Sequence, residues 1–552
     1  MMERKIKNIL QLGCTITCIA LCFSCDSDIL DQVPKDSLTE ETVWTDPQGA
    51  IQFINGIYGN LQSGFDRNYD GWAKGLYLLD GVTDDGDVSM GWTHSTRFQN
   101  AQFTASNVPW GQTWGDHYSL IRKANLALEN LDTLGDPELV EQLKGEAHFL
   151  RAFCYHELLR LYGLKSSGSE PTGVPLIDKS LTLEDDLQIP RSSYDDVLNF
   201  IIGDLDQAAS MLPAKGEIEA GRATVGAANA LKSRVLLYAE RWADAADAAN
   251  EVINAEYSLF PDYRTLFLTK NNEEIIFAKK FQNPDKTHQT GAGGTPNAGF
   301  DAYNSPNTYR GTSDGGWGGN LVTQNFVDSY DAIDGKAQAE SPVYDPNNPY
   351  ENLDPRFEAT VVHNESVFRG RVVEMYEGGR EGDPGAFENT RYFLRKFHDE
   401  DLVLYSHSSD QDWIFIRYAE VLLNYAEAKN EATGPDATVY DAINQIRQRA
   451  GMPDLEAGLG QSEMRDAIRN ERRIELAFEE HRFFDIRRWR IAQDLLDGKP
   501  IYGMTITKNP DESYSYERME VEIRSFPERL YVLPIPQSEI DKNPAAKQIN
   551  GW

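Results

Sequence analysis

The chain has 552 residues, 87 of them Asp or Glu against 53 Lys or Arg, for a formal charge of −34 at pH 7. That balance opposes the phosphate backbone and anionic lipid surfaces, so no nucleic acid is expected as a partner. A chain of this length can bury a sizeable core, as one large domain or as several smaller ones.

The first residues describe an address. Arg4, Lys5 and Lys7 lead into an apolar run from about Ile9 to Phe23, closed by Ser24-Cys25 and the acidic string Asp26-Ser27-Asp28. This order of charge, apolar core and small residue marks a secretory leader, too short to serve as a comfortable permanent span. With Leu21 and Ser24 just upstream, Cys25 resembles the cysteine of a bacterial lipobox. Residues 1–24 therefore read as a lipoprotein signal peptide and Cys25 as the lipidation site, with an ordinary cleaved leader as the plainer alternative. Cys14, Cys18 and Cys22 leave with the leader, and a lipidated Cys25 leaves Cys154 without a partner. No disulfide framework is expected, and Cys154, in an apolar helix, reads as a small buried hydrophobe. No later segment approaches about 18 uninterrupted apolar residues, so nothing beyond the leader is expected to span a membrane.

Residues 25–46 read as a polar tether, and the body occupies 47–552. Asp46-Pro47 is a capping residue with proline at the first helical position, and Ile51, Ile54, Ile57, Tyr58 and Leu61 follow at helical spacing. Two more helices are predicted between about Trp114 and Gly163, with Trp114 itself in the core and Trp110 plugging the helix start. After the Pro-Gly-rich joint 171–190, Arg191-Ser192-Ser193 caps a helix that runs to Leu212-Pro213. Residues 222–254 give two alanine-rich helices whose small side chains let them pack closely. The same grammar returns at 412–432 with 437–450, and 461–495 begins another pair. Pairs of about 34 residues predict a mainly α fold with tetratricopeptide-like helical repeats, lying chiefly within 114–255 and 412–495. Between them, 256–410 is an irregular, loop-rich insertion rich in glycine, asparagine, proline and tryptophan, of the kind that sits on the surface and carries function.

Several motifs invite a catalytic or metal reading and fail it. In NERRIELAFEEHRFFDIRRW (470–489), carboxylates stand beside His481, yet Glu479-Arg482, Arg482-Asp485 and Asp485-Arg488 are three apart, which suits pairing along a helix. HExxH is absent, and GAGG at 291–294 lacks the lysine and hydroxyl residue of a phosphate loop. Asp80, Asp84, Asp85 and Asp87 offer oxygen ligands to calcium but lack the spacing and terminal glutamate of an EF-hand. No catalytic residue, no metal ligand and no cofactor is assigned, with calcium the one ion left open.

Sugar binding asks for different groups: flat aromatic faces for the C–H surface of the rings, and polar side chains at the rim for the hydroxyls. Trp92, between Gly91 and polar residues, and Trp317, in DGGWGGN, have little local reason to be apolar. They are the leading glycan-binding candidates, with Tyr303, Asn304, Asp85 and Arg97 as companions and Trp72 as a weaker ring.

Taken in order, GEAHFLRAFCYHELLRLYG (145–163), GVPL (173–176), IRYAEVLLNYAEA (416–428), INQIRQRAG (443–451), NERRIELAFEEHRFFDIRRW and LYVLPIPQSEIDKNP (530–544) strongly resemble the SusD/RagB-like family of Bacteroidetes surface lipoproteins. The resemblance implies about four tetratricopeptide-like helix pairs supporting an irregular ligand-binding half. It also implies a lipid anchor in the outer membrane, facing the cell exterior, and a SusC-like TonB-dependent transporter as partner. Ligand contacts drawn from loops around Trp92 and Trp317 are implied too, as is a fold-signature role for 470–489. The expected function is non-enzymatic capture of oligosaccharide for delivery to that transporter. A RagB-like peptide-binding protein is the alternative, and a hydrolase on a helical scaffold a third reading.

Overall fold

The computed structural model describes residues 40–67, 77–91, 93–165, 170–288, 299–306, 315–382 and 390–552. The leader, Cys25, Trp72, Trp92 and GAGG lie outside the described residues.

The expected tether gives way before Asp46 to a short helix, α1 (Glu40–Thr45). Its Trp44 is buried with its ring 4.8 Å from that of Phe53, which joins this segment to the body. Asp46 then caps α2 (Pro47–Gly59) as its sequence predicts, accepting from the amides of Gln48 and Gly49 and leaving Ile54 and Ile57 buried.

Seven helices build the repeat array: α3 (Gln112–Asn130), α4 (Pro137–Tyr162), α5 (Tyr194–Met211), α6 (Val225–Tyr238), α7 (Trp242–Ile253), α8 (Tyr418–Thr433) and α9 (Ala437–Arg449). Each packs on the next, including α7 on α8 across the long insertion. Small buried residues make that junction close: Ala245, Ala246 and Ala248 of α7 meet Ala428 of α8. The fold is mainly α with tetratricopeptide-like repeats. Trp114 and Cys154 are core residues, and Trp110 is buried between Phe98 and Phe483 at 5.4 and 5.9 Å. No helix among the described residues is long and apolar enough to cross a membrane.

Two expectations need correction. Residues 413–417 are a strand rather than the start of a helix, and they pair antiparallel with Ile275–Lys279. Every residue of this WIFIR run is buried, and a short continuous apolar run reads as an interior strand as readily as a helix. The second concerns the charge pairing expected along one helix in 470–489, since 461–495 begins a pair with α10 (Gln461–Glu475) and that helix ends inside the motif. Phe478 and Glu480 take φ of 59° and 65°, which breaks the chain before α11 (His481–Arg488). Of the three spacings expected to pair along a helix, only Asp485-Arg488 does so, at 2.8 Å. Glu479 instead reaches Arg417 and Lys396, each at 2.7 Å, and Arg482 reaches Asp84 at 2.8 Å.

These cross-chain pairs form an ionic seam between the array and the insertion. Glu475, fully buried at the end of α10, accepts from Arg356 at 3.0 Å, Arg417 at 2.6 Å and Arg449. Burial alone would raise its carboxyl, but Arg449, Arg417 and Arg356 overcome burial and hold it well below the usual carboxylate range. Beside the seam, four short strands form an antiparallel sheet, β1 (Gly86–Val88), β2 (Asn320–Val322), β3 (Val361–Val362) and β4 (Phe393–Leu394), in the spatial order β1-β2-β4-β3.

Buried and half-buried acids, together with buried histidines, set how stability varies with pH. Glu157 and Glu400 are opposed by burial yet brought down to about 2, by Arg160 and Arg67 in one case and Arg395 and Arg264 in the other. Their stabilisation is present above the unfolded carboxylate range and is lost as pH falls through about 2. Burial pushes Asp87 and Asp331 up to about 6, so their contribution is full below about 4 and is lost as pH rises through 6. Lowering pH also relieves the repulsion of a −34 chain. Burial holds His156, His288, His398 and His481 below the usual imidazole range, so their contribution is present at neutral pH and is lost as pH falls below about 6.5, against the gain from the raised acids. The melting temperature is expected to fall steeply below about 4, and a melting temperature as high at pH 3 as at pH 7 contradicts this account.

Candidate functional site

A second, smaller apolar cluster sits apart from the main core in the insertion half. Tyr77, Val88, Met90, Ala302, Tyr303 and Leu404 are buried in it, and the rings of Trp317 and Tyr405 lie half-buried against it. Two aromatic side chains with part of their surface open, on a rigid apolar base, are what a flat saccharide face requires.

The base is fixed by short-range chemistry. The helical turn Phe300–Asn304 runs beneath the loop 315–319, whose backbone is laid onto its end by four hydrogen bonds. The amides of Gly316, Trp317, Gly318 and Gly319 donate to the carbonyls of Pro306, Ala302, Ser305 and Tyr303 at 2.8–3.1 Å. The glycines flanking Trp317 make this approach possible, since a Cβ on Gly316 would sit 2.3 Å from the Ser305 carbonyl oxygen. Asp301 ties the facing loop to the same turn, accepting from the Asp399 amide at 2.8 Å, Ser409 Oγ at 2.6 Å and Gln411 Nε2 at 2.7 Å. Burial opposes its charge, and His398, Ser409 and Gln411 bring its carboxyl down to about 2.

The structure brings together Trp317, Tyr303 and Asn304, but in different roles. Trp317 presents surface. Tyr303 is only 9% exposed and backs the shelf from below, where burial raises its phenol. Asn304, expected at the rim, is fully buried. Its Oδ1 accepts from the Asn320 amide at 2.9 Å and from Nδ2 at 2.6 Å, so its polarity locks the turn to β2 instead of meeting a ligand. Asp85 is likewise corrected: it is fully buried at the inner end of β1, bonded by Arg473 Nε at 2.6 Å. Arg97 is half-buried on the separate helical turn His94–Gln99.

The acidic run suggested for calcium is a strut. Asp84 pairs with Arg482 and Arg473 at 2.8 and 3.0 Å, and Asp87 accepts from Gln99 at 2.9 Å and lies 3.4 Å from Arg524. Asp80 Oδ2 takes the Glu480 amide at 2.9 Å. No group of three or more acid, histidine and cysteine side chains among the described residues is placed to hold a metal ion.

Sequence reasoning missed Tyr405 and Arg369. Tyr405 takes φ of 61°, unusual for a bulky residue, and its hydroxyl donates to the Gly315 carbonyl at 3.2 Å. Arg369 clamps the loop beneath it, donating to the carbonyls of Asp399 at 3.0 Å and Glu400 at 3.2 Å and to Ser305 Oγ at 3.3 Å. A signal for Tyr405 was present: it precedes the polar run Ser406-His407-Ser408-Ser409, the kind of setting that singled out Trp92.

Comparison with known proteins follows the same lines. Residues 273–552 match the model described as the SusD family, and 52–237 match one described as "Starch-binding associating with outer membrane". A SusD-like protein of Formosa agariphila is 26% identical over 98% of this chain and 97% of its own length. Among solved structures, a SusD-like protein from Bacteroides fragilis is 33% identical, with a TM-score of 0.78 over 94% of this chain and 100% of that one. A second from that species, described as a SusD-like carbohydrate binding protein, is 26% identical with a TM-score of 0.77, covering 92% and 100%.

Proposed function

This chain belongs to the SusD family, and from that premise we propose that it is a non-enzymatic, cell-surface glycan-binding lipoprotein. It captures oligosaccharides and delivers them to a SusC-like TonB-dependent transporter in the outer membrane. The observation that carries the reading is the pair of half-open rings, Trp317 and Tyr405, on a base braced from three sides. A saccharide ring stacks on such faces through its C–H surface, with a modest gain per sugar that permits release as well as capture. The two families matched are described by kinship and by starch binding, which supports a carbohydrate ligand over a peptide. The reading needs no cofactor.

Calorimetric titration with a panel of neutral oligosaccharides and a panel of peptides is the test. Saturable heat with a saccharide, and no new reducing ends after long incubation, is expected. Binding of peptides alone would make this a RagB-like peptide receptor, and release of reducing ends would make it a hydrolase.

The anchor is tested separately. Cys25→Ser is expected to move the protein from the membrane pellet to the soluble fraction of the expressing cells and to abolish labelling by a fatty-acid analogue. Retention in the pellet with label intact would overturn the assignment of Cys25.

A further inference from the structure

A cavity of about 390 Å³ lies between α4, α6, α11 and the segment around Tyr531, formed by residues other than those of the Trp317 shelf. Four buried polar atoms of its lining residues have no hydrogen-bond partner among the described residues: Arg487 Nη2, Arg160 Nε, His156 Nε2 and Tyr238 OH. Buried polar groups are nearly always paired, so four orphans around one cavity point to a missing occupant. Each can donate, the imidazole in its Nε2–H tautomer, and an occupant that satisfies them all is rich in acceptors.

Its charge follows from Arg487. This side chain is 7% exposed and has no carboxylate partner among the described residues. Its Nη1 donates to the Phe483 carbonyl at 2.6 Å, and its guanidinium lies 3.6 Å over the Phe483 ring and 5.0 Å from those of Phe98 and Phe526. Aromatic faces offset part of the cost of burying a cation but do not neutralise it. Burial accordingly pushes the guanidinium down to about 9. Of the lining cations, Lys165 pairs with Glu240, Arg490 with Glu528, Arg160 with Glu157 and Arg488 with Glu427 and Asp485, which leaves Arg487 as the lining cation without a carboxylate among the described residues. Arg487 is therefore the uncompensated positive charge at this cavity. The apolar walls, with Leu159, Tyr194, Phe484 and Tyr531 among them, offer surface to more than a bare ion.

We infer that this cavity binds a small organic anion, with its carboxylate or sulfate group on Arg487 and its ring or chain against the aromatic walls. The site is independent of the shelf. A charged sugar and a non-sugar acid share the chemistry required.

The test is calorimetry with glucuronate, benzoate, inorganic sulfate and glucose on wild-type protein and on Arg487→Met, Tyr238→Phe and Trp317→Ala. One or both organic anions are expected to bind saturably, sulfate at least tenfold more weakly and glucose not at all. Arg487→Met should lower the anion affinity at least tenfold, and Tyr238→Phe, which removes a single oxygen and leaves the packing intact, several-fold. Trp317→Ala should leave anion binding unchanged, while Tyr238→Phe leaves neutral oligosaccharide binding at the shelf unchanged. Silence of both organic anions, binding of sulfate as tight as theirs, or unchanged anion affinity in both cavity variants overturns the inference. Glucuronate lost in Trp317→Ala but kept in Tyr238→Phe would also overturn it, assigning that ligand to the shelf.

Discussion

Glu475→Gln is expected to destabilise the protein by about 3–5 kcal/mol, the usual cost of breaking a buried ion pair from one side. The substitution keeps the shape of the side chain and removes the charge that Arg356, Arg417 and Arg449 share. Those guanidiniums retain other acids, Asp354 and Glu471 for Arg356 and Glu274 for the other two, yet the buried seam becomes one charge more positive. Against a domain stability of about 5–15 kcal/mol, such a loss is visible as a large fall in the urea midpoint. Arg417→Met added to Glu475→Gln should cost less than the sum of the two single changes, because the second removes part of the imbalance created by the first. A loss below about 1 kcal/mol, or strict additivity, would sink the idea that this seam joins the helix array to the insertion.

Trp317→Ala is expected to weaken oligosaccharide binding by about 2 kcal/mol, roughly thirtyfold, as removal of an aromatic anchor does at other interfaces. Its effect on stability should be small, because the ring is half-open and its loop is held by four backbone hydrogen bonds that alanine keeps. Tyr405→Phe should cost little, since it removes only the hydroxyl bonded to Gly315, whereas Tyr405→Ala should approach the loss seen at Trp317. Unchanged saccharide affinity in both alanine variants, with the melting temperature preserved, would move the binding surface elsewhere on the molecule.

The helix array was legible because its signals are local. Asp46, Ser193 and the alanine-rich faces of 225–253 announce caps and close packing within one or two turns, and the structure keeps them. The strand at 413–417 was not legible as such, since a run of five apolar residues has no period to distinguish it and its partner lies at 275–279. The shelf was half legible. A tryptophan among glycines marks a ring with no local core, and Trp317 is half-open as that signal suggests. Asn304 and Asp85 looked like rim groups because polar residues in loops usually meet water. Their partners, Asn320 and Arg473, are 16 and 388 residues away.

Sequence by itself determined the repeat architecture and the family, and it set the expectations of an exported, acylated N-terminus and of a fold without a disulfide framework. Each rests on composition or on patterns within a few turns of chain. Only the tertiary structure decided which polar side chains are struts, that Tyr405 joins Trp317, and that Arg487 stands beside a cavity with no carboxylate partner among the described residues. The reason is that burial and pairing of a charge are properties of neighbours distant along the chain, and a side chain carries the same formula whether it faces water, a partner or an empty space.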